Sequence, residues 1–290
     1  MLLKALRYML FLPVIIGAGL TQALPQSPLQ APPQAPAEES GPIQDNAFLV
    51  EEAYNQEDGV VQHASFLTYL TDSKDWSYGF TQEWPLPWDW RHQVSYTVSA
   101  VRPGDYSDQG AGLGDLAINY RYQLVGSGKD PVAVAPRFTL FLPTGDAQKG
   151  RSFGATGYQA NIPASIELGN RWVTHWNAGG TVIPNAKNAL NERAALKGFN
   201  LGASLIALAH PNFNVMLETL WTGQGSVAGQ DRTSFGHALF ISPGIRWAHN
   251  FESGLQIVPG VAVAIGAGPS SDERALLFYL SFEHPMWSPR

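Results

Sequence analysis

Residues 112–124 read GLGDLAINYRYQL, and their order decides the fold. Leu116, Ile118, Tyr120, Tyr122 and Leu124 take one set of alternate positions, and Asp115, Ala117, Asn119, Arg121 and Gln123 take the other. Successive side chains of a strand point to opposite faces, whereas a helix turns about 100° per residue and would mix the two sets. The stretch is a strand with one apolar and one polar face. Residues 158–168 repeat the pattern, with Tyr158, Ile162 and Leu168 opposite Gln159, Asn161 and Glu167. Residues 255–265 set Ile257, Val261 and Ile265 against Gln256, Gly260 and Ala264. Residues 132–142 and 213–221 follow suit, with Arg137 and Glu218 on their polar faces.

Working outward, such segments recur near 60–70, 76–86, 90–100, 113–124, 132–142, 157–168, 172–183, 199–209, 212–222, 235–248, 254–266 and 275–287. A tilted strand needs about 9–11 residues to cross a bilayer, whereas strands of globular proteins peak near five or six. The connections 85–89, 125–130, 169–171, 210–212 and 250–253 are tight. Those at 101–111, 143–154, 184–197, 223–233 and 267–274 are longer, polar and rich in glycine. The first connection, 71–75, is short where the alternation calls for a long one. Hydrocarbon leaves no backbone group a partner outside the protein, so such strands must close into a barrel. The fold class expected is all-β: a transmembrane antiparallel up-and-down β-barrel of about twelve strands, with short periplasmic turns and longer extracellular loops.

Composition agrees. Only 14% of the 290 residues are charged, against about 25% in ordinary soluble domains. Nine Trp, ten Tyr and fourteen Phe suit the two membrane interfaces. Trp84, Trp88 and Trp90 cluster at one short turn, and Trp172, Trp221, Trp247 and Trp287 fall near segment ends. The absence of Cys excludes a disulfide scaffold, a thiolate metal site and a Cys nucleophile. A net charge of −6 with scattered Lys and Arg argues against nucleic acid as a partner.

Residues 1–23 read as a signal peptide: Lys4 and Arg7 precede an apolar stretch, and Thr21-Gln22-Ala23 offers a small-residue cleavage site. Residues 24–43 carry six prolines among Gln, Ala and Ser, the composition of an extended flexible arm. Residues 44–59 mix Phe48, Leu49, Val50 and Tyr54 with Glu51, Glu52, Glu57 and Asp58. They are expected as a short helix or extended piece packed on or in the barrel, which occupies 60–290. Residues 188–197 (NALNERAALK) have a helix-forming composition and predict a short loop helix.

With the apolar faces turned to lipid, the lumen-lining candidates are Glu83, Arg91, Asp115, Asn119, Arg121, Arg137, Glu167, Glu218, Arg246 and Glu283. Arg or Lys at mid-bilayer on the lipid face costs roughly 2–4 kcal/mol, which explains their common register. These charges either tune passage through a conduit or pair with one another and fill a barrel of modest bore. His63 and Ser65 share one side of the first strand, as a lipid hydrolase would require, but no residue completes a triad nearby. The histidines are spread singly, so no metal site is expected. Gly110, Gly112 and Gly114 precede a strand and lack the following Gly-Lys-Ser/Thr of a phosphate loop, and Gly223-Gln224-Gly225 fails dinucleotide spacing. No catalytic residue and no cofactor is expected.

Three stretches carry a family resemblance: residues 48–57 (FLVEEAYNQE), 80–87 (FTQEWPLP) and 112–124. They resemble the outer-membrane proteins grouped with the meta-pathway of phenol degradation, and Gly-Leu-Gly-Asp leading into an alternating strand is the most specific element. The resemblance implies an outer-membrane barrel, often described as a transporter or channel for small, aromatic or hydrophobic compounds, with no agreed catalytic residues. The expected partners are outer-membrane lipids, small solutes in transit, and the barrel assembly machinery. The last would meet segment 275–287, although Ser288-Pro289-Arg290 follows the aromatic Trp287.

Overall fold

The computed structural model describes residues 43, 45–104 and 110–286. The expected leader, all but residue 43 of the arm, Trp287 and the tail 288–290 lie outside the described residues.

Strong alternation gives strand after strand. They are β1 (Val60–Leu70), β2 (Trp76–Leu86), β3 (Asp89–Arg102), β4 (Leu116–Tyr122), β5 (Arg137–Leu142) and β6 (Gly157–Glu167). The remainder are β7 (Trp172–Lys187), β8 (Arg193–His210), β9 (Phe213–Gly229), β10 (Arg232–Trp247), β11 (Gln256–Ala267) and β12 (Arg274–Pro285). Three short pieces extend neighbouring staves: Gly112–Leu113 pairs with β3, Val132–Val134 with β6, and His249–Asn250 with β11. Every described pairing is antiparallel between neighbours. β1 returns against β12 from Val60↔Pro285 to Leu70↔Ala275, so the sheet closes into a twelve-stranded barrel. The short hairpin at 71–75 is present and joins β1 to β2.

Burial is inverted relative to a soluble protein. Gln62, Gln93, Asn119, Arg121, Asn161, Ser204, Glu218 and Arg246 are buried, while Ile162, Leu201, Leu217, Val263 and Phe278 are exposed. The interior also holds an apolar cluster that includes Phe48, Ile206, Met216, Phe240 and Leu277, but charged and amide side chains buried inside and large apolar side chains exposed outside fit a wall whose outer solvent is lipid. Tryptophans mark its edges. Trp88, Trp90, Trp172 and Trp247 are exposed near the short-turn rim, where Val60 and Pro285 also lie. Toward the other rim Trp221 stacks edge-on against Phe199, ring centres 5.1 Å apart, with Phe235 and His237 alongside. Gly223 makes room for this cluster, since a Cβ there would come within 2.3 Å of Phe199. Leu217→Arg, on the lipid face, is expected to cost roughly 2–4 kcal/mol. A matched pair, Leu217→Arg and the lumen-facing Thr139→Arg, separates the faces by the temperature at which the folded band is lost on gels.

Two expectations about the long loops fail. β7 to β10 run for 16, 18, 17 and 16 residues, well beyond the 9–11 or so needed to span. The connections expected at 184–197 and 223–233 are therefore mostly strand, turning only at 188–192 and 230–231. No helix forms at 188–197; Arg193–Lys197 belongs to β8, and Asn191 takes a left-handed turn conformation (φ 61°). Above the bilayer the inner faces of β7 and β8 pack Ile183, Ala186, Ala194 and Leu196 against Phe153 while their outer faces meet water, so the apolar side turns inward as ladder pairing continues. Glycine-rich, polar sequence there resembles a loop without being one.

Candidate functional site in the barrel lumen

Residue 43 and residues 45–57 enter the barrel from the short-turn rim and make a circuit of the inner wall. They form neither helix nor strand. A buried backbone without secondary structure must find partners elsewhere, and the inward side chains of the wall supply them. Arg246 on β10 donates to the carbonyls of Ile43 (3.0 Å), Asp45 and Asn46 (3.1 Å). The Glu218 carboxylate on β9 accepts the amides of Phe48, Leu49 and Val50, each at 3.0 Å. Asn177 on β7 brackets Glu51, accepting its amide and donating to its carbonyl, both at 2.8 Å.

Further round, Ser165 on β6 accepts the Ala53 amide at 2.8 Å. Gln123 accepts from Asn55 (2.9 Å) and donates to the Ala53 carbonyl (2.8 Å), while Arg121 donates to that of Tyr54 (2.9 Å). Gln93 on β3 accepts the Gln56 amide at 2.7 Å. Asp45 accepts from Gln62, Tyr279 and Ser281. Phe48 adds apolar contact, standing edge-on to Tyr279 (6.4 Å) over Gly244 and Gly260. A Cβ on either glycine would lie within 3 Å of its ring. The segment is thus laced to at least six strands.

The candidate residues have distinct fates. Asn119, Arg121, Arg137, Glu167, Glu218, Arg246, Glu83 and Glu283 all lie on the inner side. Glu283 accepts from Gln62, Glu83 accepts from Gln93, and Asn119 links Ser95 to Thr139. Asp115 is buried where the loop 143–156 folds back, accepting the amides of Gly145 (3.1 Å) and Phe153 (2.9 Å); it ties that loop to the barrel mouth. Arg91 does not line the lumen. It stands half-exposed at the short-turn rim, clasping Asp89 at 2.6 Å. The first residues of β3 project past the barrel's edge, where the inward register no longer means interior.

Sequence reasoning ranked charges and, apart from Asn119, passed over amides. Gln62, Gln93, Gln123 and Asn177 do as much of the clamping as Glu218 and Arg246. Their signal was present as an amide or hydroxyl on the inward register of strand after strand, near the same rim.

His63 and Ser65 lie on the outer face and do not meet. Ser65 pairs with the Tyr78 hydroxyl (3.1 Å), and His63 stacks on His284. Among the described residues no group of three or more His, Cys, Asp or Glu could hold a metal.

Beyond the segment, toward the long-loop rim, the lumen opens into a cavity of about 360 Å³. Residues 46–51 form its floor. Its walls mix Thr97, Thr139 and Gln159 with Phe66, Phe141 and Phe153. Arg121 and Arg137 reach it from β4 and β5, and both meet the Glu51 carboxylate, at 3.5 and 2.6 Å.

A family model described as "Putative MetA-pathway of phenol degradation" matches residues 54–266. The chain belongs to that family. Among solved structures, an outer membrane channel from Pseudomonas putida F1 matches with a TM-score of 0.54 at 12% identity, covering 80% of this chain and 97% of its own. A NanC porin matches with a TM-score of 0.52 at 9% identity, covering 76% and 98%. At such identities the likeness is one of fold. No curated protein matches the sequence. The family member described above is an outer-membrane β-barrel, with its apolar belt in lipid and its charged and amide side chains enclosed.

Proposed function

We propose that this barrel is a passive channel for small solutes, with residues 43–57 as the constriction that sets its bore. The observation carrying the reading is the cavity of about 360 Å³ inside the wall, which a barrel filled by its own side chains would not retain. Uncharged hydroxyls and amides such as Thr97, Thr139, Asn119 and Gln159 alternate with apolar groups along it, which suits weak, transient contact with a solute that must also leave. Its aromatic lining fits small aromatic or hydrophobic compounds within that class. Ser65 pairs with the Tyr78 hydroxyl and with no His among the described residues, which gives a lipid-hydrolase reading no support.

A second reading, a structural or adhesive barrel with no flux, draws support from the density of clamps on the segment. Single-channel recording in planar bilayers decides between them. Discrete current steps are expected, and Arg137→Gln should shift their cation-to-anion preference; a correctly inserted but silent barrel contradicts the channel. Assembly through β12 fits its place as the strand that closes on β1.

A further inference from the structure

Arg121 and Arg137 are direct register partners on β4 and β5. Like charges placed opposite one another across two strands repel, and the pair is stable only with an anion beside it. The anion in contact with both is Glu51, borne by the inserted segment and not by the wall. Its Oε1 takes the short contact to Arg137 (2.6 Å) and a hydrogen bond from Asn161 (3.2 Å). Its Oε2 is buried, accepts no hydrogen bond from a described residue, and faces Arg121 at 3.5 Å. The Nε atoms of both arginines are likewise buried and donate to no described residue. The carboxylate therefore uses only part of what two guanidinium groups offer, since each can bind a carboxylate through two parallel bonds.

All of this borders the cavity. From our reading of that lumen as a channel, we propose that Arg121 and Arg137 form a carboxylate site, that Glu51 is its tethered occupant, and that a small carboxylate with an apolar body displaces it. Phe66, Phe141 and Phe153 line the same space and would receive the body. Glu83 also lines it; it accepts from Gln93 and feels the charge of both arginines, but among the described residues only Glu51 makes ion pairs with them. A tethered group competes at an effective concentration set by its linker, commonly in the millimolar range, so the free ligand binds weakly until the competitor is removed. The same displacement takes one anchor from the segment where it crosses beneath the cavity, coupling arrival of a solute to loosening of the constriction.

The test is calorimetric titration of the folded, full-length barrel in detergent at neutral pH. The probes are benzoate, its neutral counterpart benzamide, and acetate, which lacks the ring. Benzoate is expected to bind at least about tenfold more tightly than either, the worth of one charge-assisted contact. Glu51→Gln should strengthen benzoate binding several-fold and leave benzamide unchanged. Arg137→Gln should abolish the preference for benzoate. Equal binding of benzoate and benzamide by the wild type overturns the proposal without recourse to any variant. So does a folded Glu51→Gln barrel whose benzoate affinity is unchanged or weakened. A barrel that prefers benzoate but passes no current refutes the channel and leaves this site standing. One that conducts without the preference does the reverse.

Discussion

Removing residues 45–56, with everything before them retained, is expected to raise the single-channel conductance several-fold. The wall facing this segment mixes clamping side chains such as Arg246, Glu218 and Gln93 with small groups such as Gly202 and Ser165, and the side chains alone do not occupy the space that the backbone of residues 45–56 takes. Water can take over the hydrogen bonds that Glu218, Arg246 and the side-chain amides now make with the backbone. Barrel closure should survive, because the ladder from Val60↔Pro285 to Leu70↔Ala275 does not involve the segment. The folded band on unheated gels checks insertion, and planar-bilayer recording checks conductance. An unchanged current through a folded, shortened barrel would show that some other element sets the bore.

Glu218→Ala is expected to be the most destabilising single change in the lumen. Three backbone amides converge on this carboxylate, and each bond to a charged acceptor contributes about 1.5–3 kcal/mol. Water in the vacated space recovers part, leaving a net loss of about 3 kcal/mol. The readout is the temperature at which the compact band converts to the unfolded one. Glu218→Gln keeps one acceptor oxygen and should lose about half as much. If Glu218 served only to select ions, both variants would change the charge preference of the current and leave that temperature unmoved.

Much of the architecture was legible because lipid enforces it. A residue such as Ile162 or Leu217 has no alternative to the outer face, so alternation over 158–168 and 213–221 registers as strand without ambiguity. Legibility ended where lipid ended. Above the membrane, residues 193–197 and 223–229 pair in ladders, but 193–197 turns Ala194 and Leu196 inward and Arg193 and Lys197 outward, the reverse of the lipid-facing pattern, and composition pointed to helix and loop. The interior was half legible: the inward register located Arg121, Arg137, Glu218 and Arg246, yet not what they bind. Their partners are mostly backbone atoms of residues 43–57, which no side-chain pattern advertises. Arg91 shows the converse limit, since it keeps the inward register but sits past the rim.

The central claim is that residues 43–57 lie inside the barrel and not along its outside or in the periplasm. A cysteine pair tests it directly, and the native chain has no Cys to confuse the result. A Cβ on Gly202, on the inner face of β8, would stand 3.0 Å from Val50 Cγ2, within reach of the roughly 3.5–4.5 Å Cβ separation that a disulfide requires. In the double variant Val50→Cys, Gly202→Cys, oxidation of the folded barrel should give nearly complete cross-linking, seen as a mobility shift on a denaturing gel and reversed by reductant. Folded barrels that remain unlinked after oxidation would place the segment elsewhere and contradict the account.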